Sequence, residues 1–336
     1  MKKLFCIFVK LVLVLALILP MIGDNVASAE QYEIAVVAKN AESQWGLRQE
    51  LGVRDYARAS GNIAYQRGPS RVDAAAQLQI LEDLIAQRVD AICVVPVDID
   101  SVQPALQRAM DAGIVVIVNE GTTVDVKDYS IDAFDQEMFG HFMMESLAKQ
   151  MGETGFYTTM VGSLSNGSHN LWADAAIAWQ KEKYPNMQLL ESDSRVESSD
   201  LTEISYSKAK ELIMKYPDLK GILGTSSADL PGIAQAVEEL GLSGSFAIAG
   251  LGTPLKSSQF LASGSLIEFC MWDPAGAGWA MCALAEKMLS GVPIEAGLDL
   301  GLEGYHSIQP SAGNPKNFEG QGMVTVNKET VGNYDF

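Results

Sequence analysis

Continuous apolar runs alternate with amphipathic stretches along most of the chain. Residues 89–120 show the pattern most clearly. Val89-Asp-Ala-Ile-Cys-Val-Val-Pro-Val97 and Ile114-Val-Val-Ile-Val-Asn-Glu120 flank a segment from Ser101 to Gly113. In that segment Val102, Ala105, Leu106, Ala109 and Met110 recur at helical spacing. Uninterrupted β-branched runs predict strands buried on both faces, as in a parallel sheet. Ser101 suits a helix N-cap, and Gly113 a stop just past the helix end. The stretch therefore reads as a βαβ unit. Its strands end in a break or a polar group: Pro96 and Asp98 after the first, Asn119 and Glu120 after the second. In open parallel sheets a ligand crevice lies beyond the carboxyl ends of the strands, and this puts Asn119 and Glu120 in such a crevice.

The same alternation runs through the rest of the chain. Strands are expected at Ile34–Ala38, Ile63–Tyr65 and Tyr129–Phe134, with helices at 46–59, 73–87 and from Asp135 to Met151. After Gly152 the pattern restarts, with strands at 155–161, 187–191, 221–226, 246–251 and 266–271. Helices between them are expected at 171–184, 202–215, 229–241 and 255–262, followed by a long one at 275–290. The tail holds strand-like pieces near 298–302 and 323–326. Two similar halves of alternating strands and helices predict an α/β fold of two parallel-sheet lobes. No Gly/Ser- or Pro-rich linker separates them, so the chain is expected to cross between lobes through short segments that form a hinge. The expected crossings lie near 131–135, 251–254 and 293–298. They assign 30–131 plus 254–294 to the N-terminal lobe and 132–253 plus 295–336 to the C-terminal lobe.

The first 29 residues depart from this pattern. Lys2, Lys3 and Lys10 precede a short apolar core, Leu11–Leu19, that ends at Pro20, and Ala27-Ser28-Ala29 forms a cleavage site before Glu30. The apolar core is too short for a membrane span. Cys6 lies upstream of it and so is not a lipid-anchoring cysteine. The reading is a cleavable signal peptide and a mature chain free in a periplasm, with no stable membrane insertion. At 48% apolar and 20% charged residues over 336 positions, the chain can build two real cores. A net charge of −18 argues against nucleic acid as a partner, because phosphate binding needs clustered Lys and Arg. Cleavage would leave Cys93, Cys270 and Cys282, an odd number that cannot form a complete disulfide framework. Buried free thiols are expected, and nothing in the spacing demands a Cys270–Cys282 bridge.

Candidate chemistry is sparse. His141, His169 and His306 lack metal-ligand spacing with one another or with Cys, so no metal is expected. No phosphate loop, dinucleotide fingerprint or nucleophile elbow is present. No catalytic residue and no cofactor are therefore expected. What remains is a set of polar and aromatic groups where apolar strands end: Lys39, Asn40 and Trp45; Asn119 and Glu120; Asp135; Ser168, His169 and Asn170; Thr225, Ser226, Ser227 and Asp229; Trp272 and Asp273. Each alone reads more often as a cap or loop residue, and Asp135 and Asp229 in particular suit helix caps. Together they suit a polyol, which needs many directed hydrogen bonds and offers a C–H face to an indole ring. Trp45 and Trp272 are the stacking candidates.

At these residues the chain resembles a known family. The leader, Val89-Asp-Ala-Ile-Cys-Val-Val-Pro96, Val118-Asn-Glu120, Gly250-Leu-Gly-Thr-Pro254 and Glu268-Phe-Cys-Met-Trp-Asp273 are similar to the periplasmic sugar-binding proteins of ABC importers. Leu230-Pro-Gly-Ile-Ala-Gln-Ala236 and the tail from Val326 to Phe336 resemble the branch that binds autoinducer-2 or rhamnose. The resemblance implies two Rossmann-like lobes joined by a three-segment hinge and closing on one ligand. It implies a monomer that delivers a small sugar, deoxysugar or polyol to an ABC permease. Lys39 and Glu120 match ligand contacts of that branch. Ser168 and His169 stand where it has Asp-Gln, and Thr225 and Ser227 where it has Pro and Ala, which argues against autoinducer-2 itself. Gly250-Leu-Gly252 replaces an Asp of ribose-type binders, which argues against a ribose-like pocket. The rival readings are an autoinducer-2-type binder, a ligand-presenting receptor for a membrane sensor and, least favoured, an exported carbohydrate enzyme.

Overall fold

The computed structural model describes residues 31–192 and 194–336. The expected leader, residues 1–29, lies outside the described residues. In chain order the first elements are β1 (Glu33–Val37), α1 (Gln44–Ser60), β2 (Ile63–Arg67), α2 (Ala74–Gln87), β3 (Ala91–Val94), α3 (Ile99–Asp111), β4 (Val115–Val118) and β5 (Tyr129–Asp132). They are followed by α4 (Gln136–Met151), β6 (Gly155–Val161), α5 (Gly167–Lys183), β7 (Met187–Leu189), β8 (Arg195–Glu197), α6 (Thr202–Lys215), β9 (Leu219–Gly224), α7 (Asp229–Glu239) and β10 (Ala247–Gly250). The chain closes with α8 (Pro254–Ser263), β11 (Glu268–Met271), α9 (Pro274–Leu289), β12 (Gln309–Ser311), β13 (Asn314–Glu319) and β14 (Val324–Asn327).

Side-chain caps set several helix starts. Asp98 accepts from the Ser101 N–H at 2.8 Å, so α3 begins at Ile99, ahead of the Ser101 start that the pattern suggested. Asp73, Asp135 and Asn166 cap α2, α4 and α5 in the same way.

The first sheet has strand order β12-β13-β5-β4-β3-β1-β2, parallel except where β12 meets β13. Its central strands are buried on both faces, as their unbroken apolar runs demand. Ile34, Val36, Cys93 and Ile117 face α1 and α9, whereas Ala35, Val37, Ile92 and Val94 face α2 and α3. Each fully buried Val, Ile or Leu here contributes about 1.5–3 kcal/mol of transfer free energy. The helices α1 and α9 pack closely because both carry glycine at the contact. A Cβ on Gly52 would lie 1.8 Å from the Ala275 carbonyl oxygen, and one on Gly278 would lie 2.5 Å from that of Gln49. The second sheet has order β10-β9-β6-β7, with β8 also paired to β6, all in parallel. A ribbon of β11 and β14 is antiparallel, and a bridge from Cys270 to Leu251 lays it beside the end of β10.

Sheet membership departs from the expected lobe assignment twice. The segment 254–271 was assigned to the first lobe, but α8 packs on α7 and β11 lies beside β10. The segment 295–336 was assigned to the second lobe, but β13 extends the first sheet by pairing with β5, and only β14 returns to the second side. Counting alternating elements does not reveal which sheet edge a late strand joins. The chain passes between the sheets at 133–135, 272–273 and 320–323. Among the described residues the three cysteines are buried free thiols, and the neighbour of Cys282 is Cys93, not Cys270.

Candidate functional site

The carboxyl ends of β1 and β4 in the first sheet face the loops after β6, β8 and β9 of the second. Between them lies a cavity of about 90 Å³. Lys39, Asn40, Trp45 and Glu120 line it from one side, and His169, Asp200, Ser226 and Ser227 from the other. Gln44, the buried Gln49 and the exposed Lys256 also line it.

The centre of the site is a charge cluster that spans both sides. The Lys39 ammonium donates to Glu120 Oε2 at 2.7 Å, to Ser168 Oγ at 2.9 Å and to Asn166 Oδ1 at 3.3 Å. The Ser168 hydroxyl has one proton to share between Glu120 Oε2 and Asn166 Oδ1, each 3.1 Å away. Glu120 is only 6% exposed, so its carboxylate depends on this pairing. Its backbone is left-handed, with φ of 54°, a conformation costing a non-glycine residue on the order of 1–3 kcal/mol. The Glu120 N–H donates to Asp132 Oδ1 at 2.7 Å, which holds that turn. Asn119 Nδ2 also donates to Asp132 Oδ1, at 3.0 Å, and to the Ile131 carbonyl at 2.7 Å. Asn119 therefore fastens β4 to β5 and stands behind the cavity rather than in its lining. Burial pushes the Asp132 carboxyl up to about 7.

On the second side His169 is buried, and burial holds its imidazole down at about 4. Its Nδ1 accepts from the Gly162 N–H at 3.2 Å. The ring is thus neutral with its proton on Nε2, which makes it a hydrogen-bond donor to the cavity. Asp200 follows Ser199, both with left-handed backbones, φ of 57° and 56°. A Cβ on Gly162 would lie 2.3 Å from Asp200 Oδ1, so the glycine is what leaves room for this carboxylate. The loop after β9 is held by Asp229, which is fully buried and accepts from the Ser226 N–H at 2.8 Å. Burial raises the Asp229 carboxyl to about 7 as well.

The sequence-predicted residues divide into two groups. Lys39, Asn40, Trp45, Glu120, His169 and Ser227 come together around the cavity, and Ser168 joins them through Lys39 and Glu120. The others hold the frame. Asp135 is the α4 cap, accepting from the Met138 N–H at 2.7 Å. Asn170 ties the loop after β6 to itself and accepts from Arg195. Thr225 is buried, with its hydroxyl on the Met160 carbonyl. Trp272 is 2% exposed, and Trp45, Phe134, Phe139 and Trp172 meet its ring edge to face, with centroids 4.5–5.7 Å away. It is the hub of an aromatic core, and Trp45 alone of the expected stacking pair lines the cavity. Asp273 caps α9 and forms a bidentate pair with Arg48.

Sequence reasoning missed Asn166, Asp200, Lys256, Gln44 and Gln49. A signal for Asp200 existed. Ser198-Ser199-Asp200 is a polar cluster after Arg195–Glu197, and recognising that three-residue stretch as a strand would have marked Asp200 as another strand-end acid. Gln44 and Gln49 lie on α1, where nothing in the sequence separates them from ordinary surface glutamines.

Chemically the cavity offers two carboxylates, two ammonium groups, a neutral imidazole donor, hydroxyls and one indole. Such a set makes many directed, partly charge-assisted hydrogen bonds to a ligand bearing several hydroxyl groups. Among the described residues no His/Cys/Asp/Glu group is arranged to hold a metal ion.

Comparison with known proteins accords with the fold. A xylitol-binding protein of Mycolicibacterium smegmatis is 26% identical over 275 residues, covering 81% of this chain and 76% of that protein. A D-allose-binding periplasmic protein of Escherichia coli is 23% identical over 295 residues, covering 82% of this chain and 90% of the other. Among solved structures, LsrB from Clostridium saccharobutylicum in complex with AI-2 superposes with a TM-score of 0.82 at 22% identity, over 90% of this chain and 100% of that one. No described helix is long and apolar enough to cross a membrane. Residues 34–293 match the family model for the periplasmic binding protein domain, and the chain belongs to that family.

Proposed function

We propose that the protein is a solute-binding protein that captures one small sugar, deoxysugar or polyol between its two sides and delivers it to an ABC permease. The observation that carries this reading is the Lys39 cluster. One ammonium joins Glu120 of the first side to Asn166 and Ser168 of the second, with hydrogen-bonding groups from both sides around a single cavity. A ligand hydroxyl entering there exchanges with these bonds and gains partners on both sides at once. Ligand binding then favours the closed arrangement over an open one, with bending at 133–135, 272–273 and 320–323. The xylitol- and D-allose-binding relatives support a polyhydroxylated ligand. In this reading the protein works as a periplasmic monomer without turning its ligand over.

Autoinducer-2-type signal binding is the second reading, favoured by the AI-2 complex among the structural neighbours. Thermal-shift screening against a library of pentitols, aldoses, deoxysugars and AI-2 separates the two. Stabilisation by a sugar or polyol supports the first reading, and stabilisation by AI-2 alone replaces it with the second. No stabilisation by any of these compounds would remove both.

A further inference from the structure

Asp200 lines the cavity from the second side, with its side chain 20% exposed. Its carboxylate accepts no hydrogen bond from any described residue. His169 Nδ1 lies 3.9 Å from Oδ1, beyond hydrogen-bond reach, and is itself an acceptor. Other acceptors around the cavity are already engaged. Glu120 Oε2 receives Lys39 and Ser168, and Asn40 Oδ1 receives the N–H groups of Glu42 and Ser43, each at 3.0 Å. Asp200 keeps both oxygens for whatever enters.

The chain holds this carboxylate in place against its own conformational preference. The Leu201 N–H donates to the Ser198 carbonyl at 3.0 Å and closes a turn with Ser199 and Asp200 at its centre. Both central residues have left-handed φ, the form of a type I′ turn, where glycine and asparagine are usual. The turn is fastened to the end of β6, because the Ser198 N–H donates to the Val161 carbonyl at 2.9 Å. The next residue is Gly162, whose missing Cβ leaves the space that Asp200 Oδ1 occupies. A strained turn, a fixed anchor and a bare neighbour thus serve one unengaged carboxylate at the cavity wall.

We infer that Asp200 is a specificity-determining residue of the ligand site. Its two oxygens accept from hydroxyls on two adjacent ligand carbons, and the protein selects a ligand with that hydroxyl pair over its deoxy forms. The inference rests on the solute-binding reading and narrows it, since no deoxy position can face Asp200. An ionised carboxylate is acceptor-only and takes two donors at once. When a ligand lacks one of the two hydroxyls, the closed site leaves a carboxylate oxygen shielded from water without a donor. A site of this kind rejects the deoxy analogue more strongly than an apolar pocket does.

The test is a double-mutant cycle between Asp200 and the ligand hydroxyls. Calorimetry of the full chain first identifies which of xylitol, D-allose, D-ribose, D-arabinose and L-rhamnose binds the wild type. Forms of that compound lacking one hydroxyl are then titrated into wild type and Asp200→Gly, a variant that keeps the turn because glycine adopts left-handed φ freely. Loss of the hydroxyl at either of two adjacent carbons should weaken wild-type binding by at least about tenfold. Asp200→Gly should bind the parent compound more weakly by a similar factor, yet bind those two deoxy forms about as the wild type does. A merely structural role would weaken the parent and every deoxy form alike. Gly162→Ala, which displaces the carboxylate without removing it, should reduce discrimination at the same two carbons. Unchanged affinity for the parent in Asp200→Gly, or equal losses for parent and deoxy forms, would overturn the inference and leave the solute-binding reading standing. No heat from any of the probes with the wild type would overturn both.

Discussion

Asp132 does not line the cavity, yet it fixes Glu120, which does. Its Oδ1 accepts from both Glu120 N–H and Asn119 Nδ2, while Oδ2 has no partner. Burial raises its carboxyl to about 7, above the value of an unfolded chain. The folded state therefore binds the proton more tightly than the unfolded state. Stability from this group is full at low pH and is lost as pH rises through about 7, and Asp229 acts in the same direction. Asp132→Asn keeps an oxygen for both donors and removes the titration. Its melting temperature should fall less than that of wild type between about pH 5 and pH 8. Identical slopes in a pH series of melting curves would count against the raised carboxyl. Tryptophan behaves differently at two neighbouring positions. Trp45→Ala should weaken ligand binding by about 1–3 kcal/mol, at an apo cost of about 1 kcal/mol from its lost contact with Trp272. Trp272→Ala should instead cost about 3–5 kcal/mol of apo stability, because it empties the centre of an aromatic core. Denaturant titration of both variants checks the distinction. The sequence could name both tryptophans but could not say which faces the cavity, since both follow the end of a strand. Lys39 and Glu120 were legible because a charged residue directly after a fully apolar strand has few other places to go.

At the level of elements, the apolar runs of β1, β3, β4 and β9 marked buried parallel strands without help from long-range contacts. The short strands were hidden. β8 and β12 have three residues each and are half-exposed or exposed, so they carry no apolar run to detect. Their loss took Asp200 with it, and β13, mostly exposed or half-buried, was hidden in the same way although it is what joins the tail to the first sheet. The contact between α1 and α9 was hidden for another reason: a glycine in a helix reads as a weak point until the facing helix is known. Gly52→Ala tests that contact. Its methyl would meet the Ala275 carbonyl, so the helices must separate, at a cost of about 1–3 kcal/mol. Chemical denaturation should show the loss. A variant as stable as wild type would mean that the helices sit farther apart.

For the molecule as a whole, two parallel-sheet lobes and several crossings were readable from the alternation of strands and helices. The positions of the second and third crossings were not, because both depend on which sheet edge accepts a late strand. The chain passes between the sheets at three short segments, and the Lys39 cluster reaches from one side to the other. If closure follows ligand capture, the radius of gyration in small-angle X-ray scattering should fall when a stabilising sugar or polyol is added. An unchanged radius would leave capture without closure.

The central claim is that a small polyhydroxylated ligand is held through the Glu120–Lys39 cluster. Calorimetric titration of wild type and Glu120→Ala with the compound that most stabilises the wild type tests it most directly. Wild type should bind with a dissociation constant on the order of micromolar, about −8 kcal/mol. The variant should show no measurable heat of binding while its far-ultraviolet circular dichroism stays that of the wild type. Wild-type affinity in Glu120→Ala would contradict the claim.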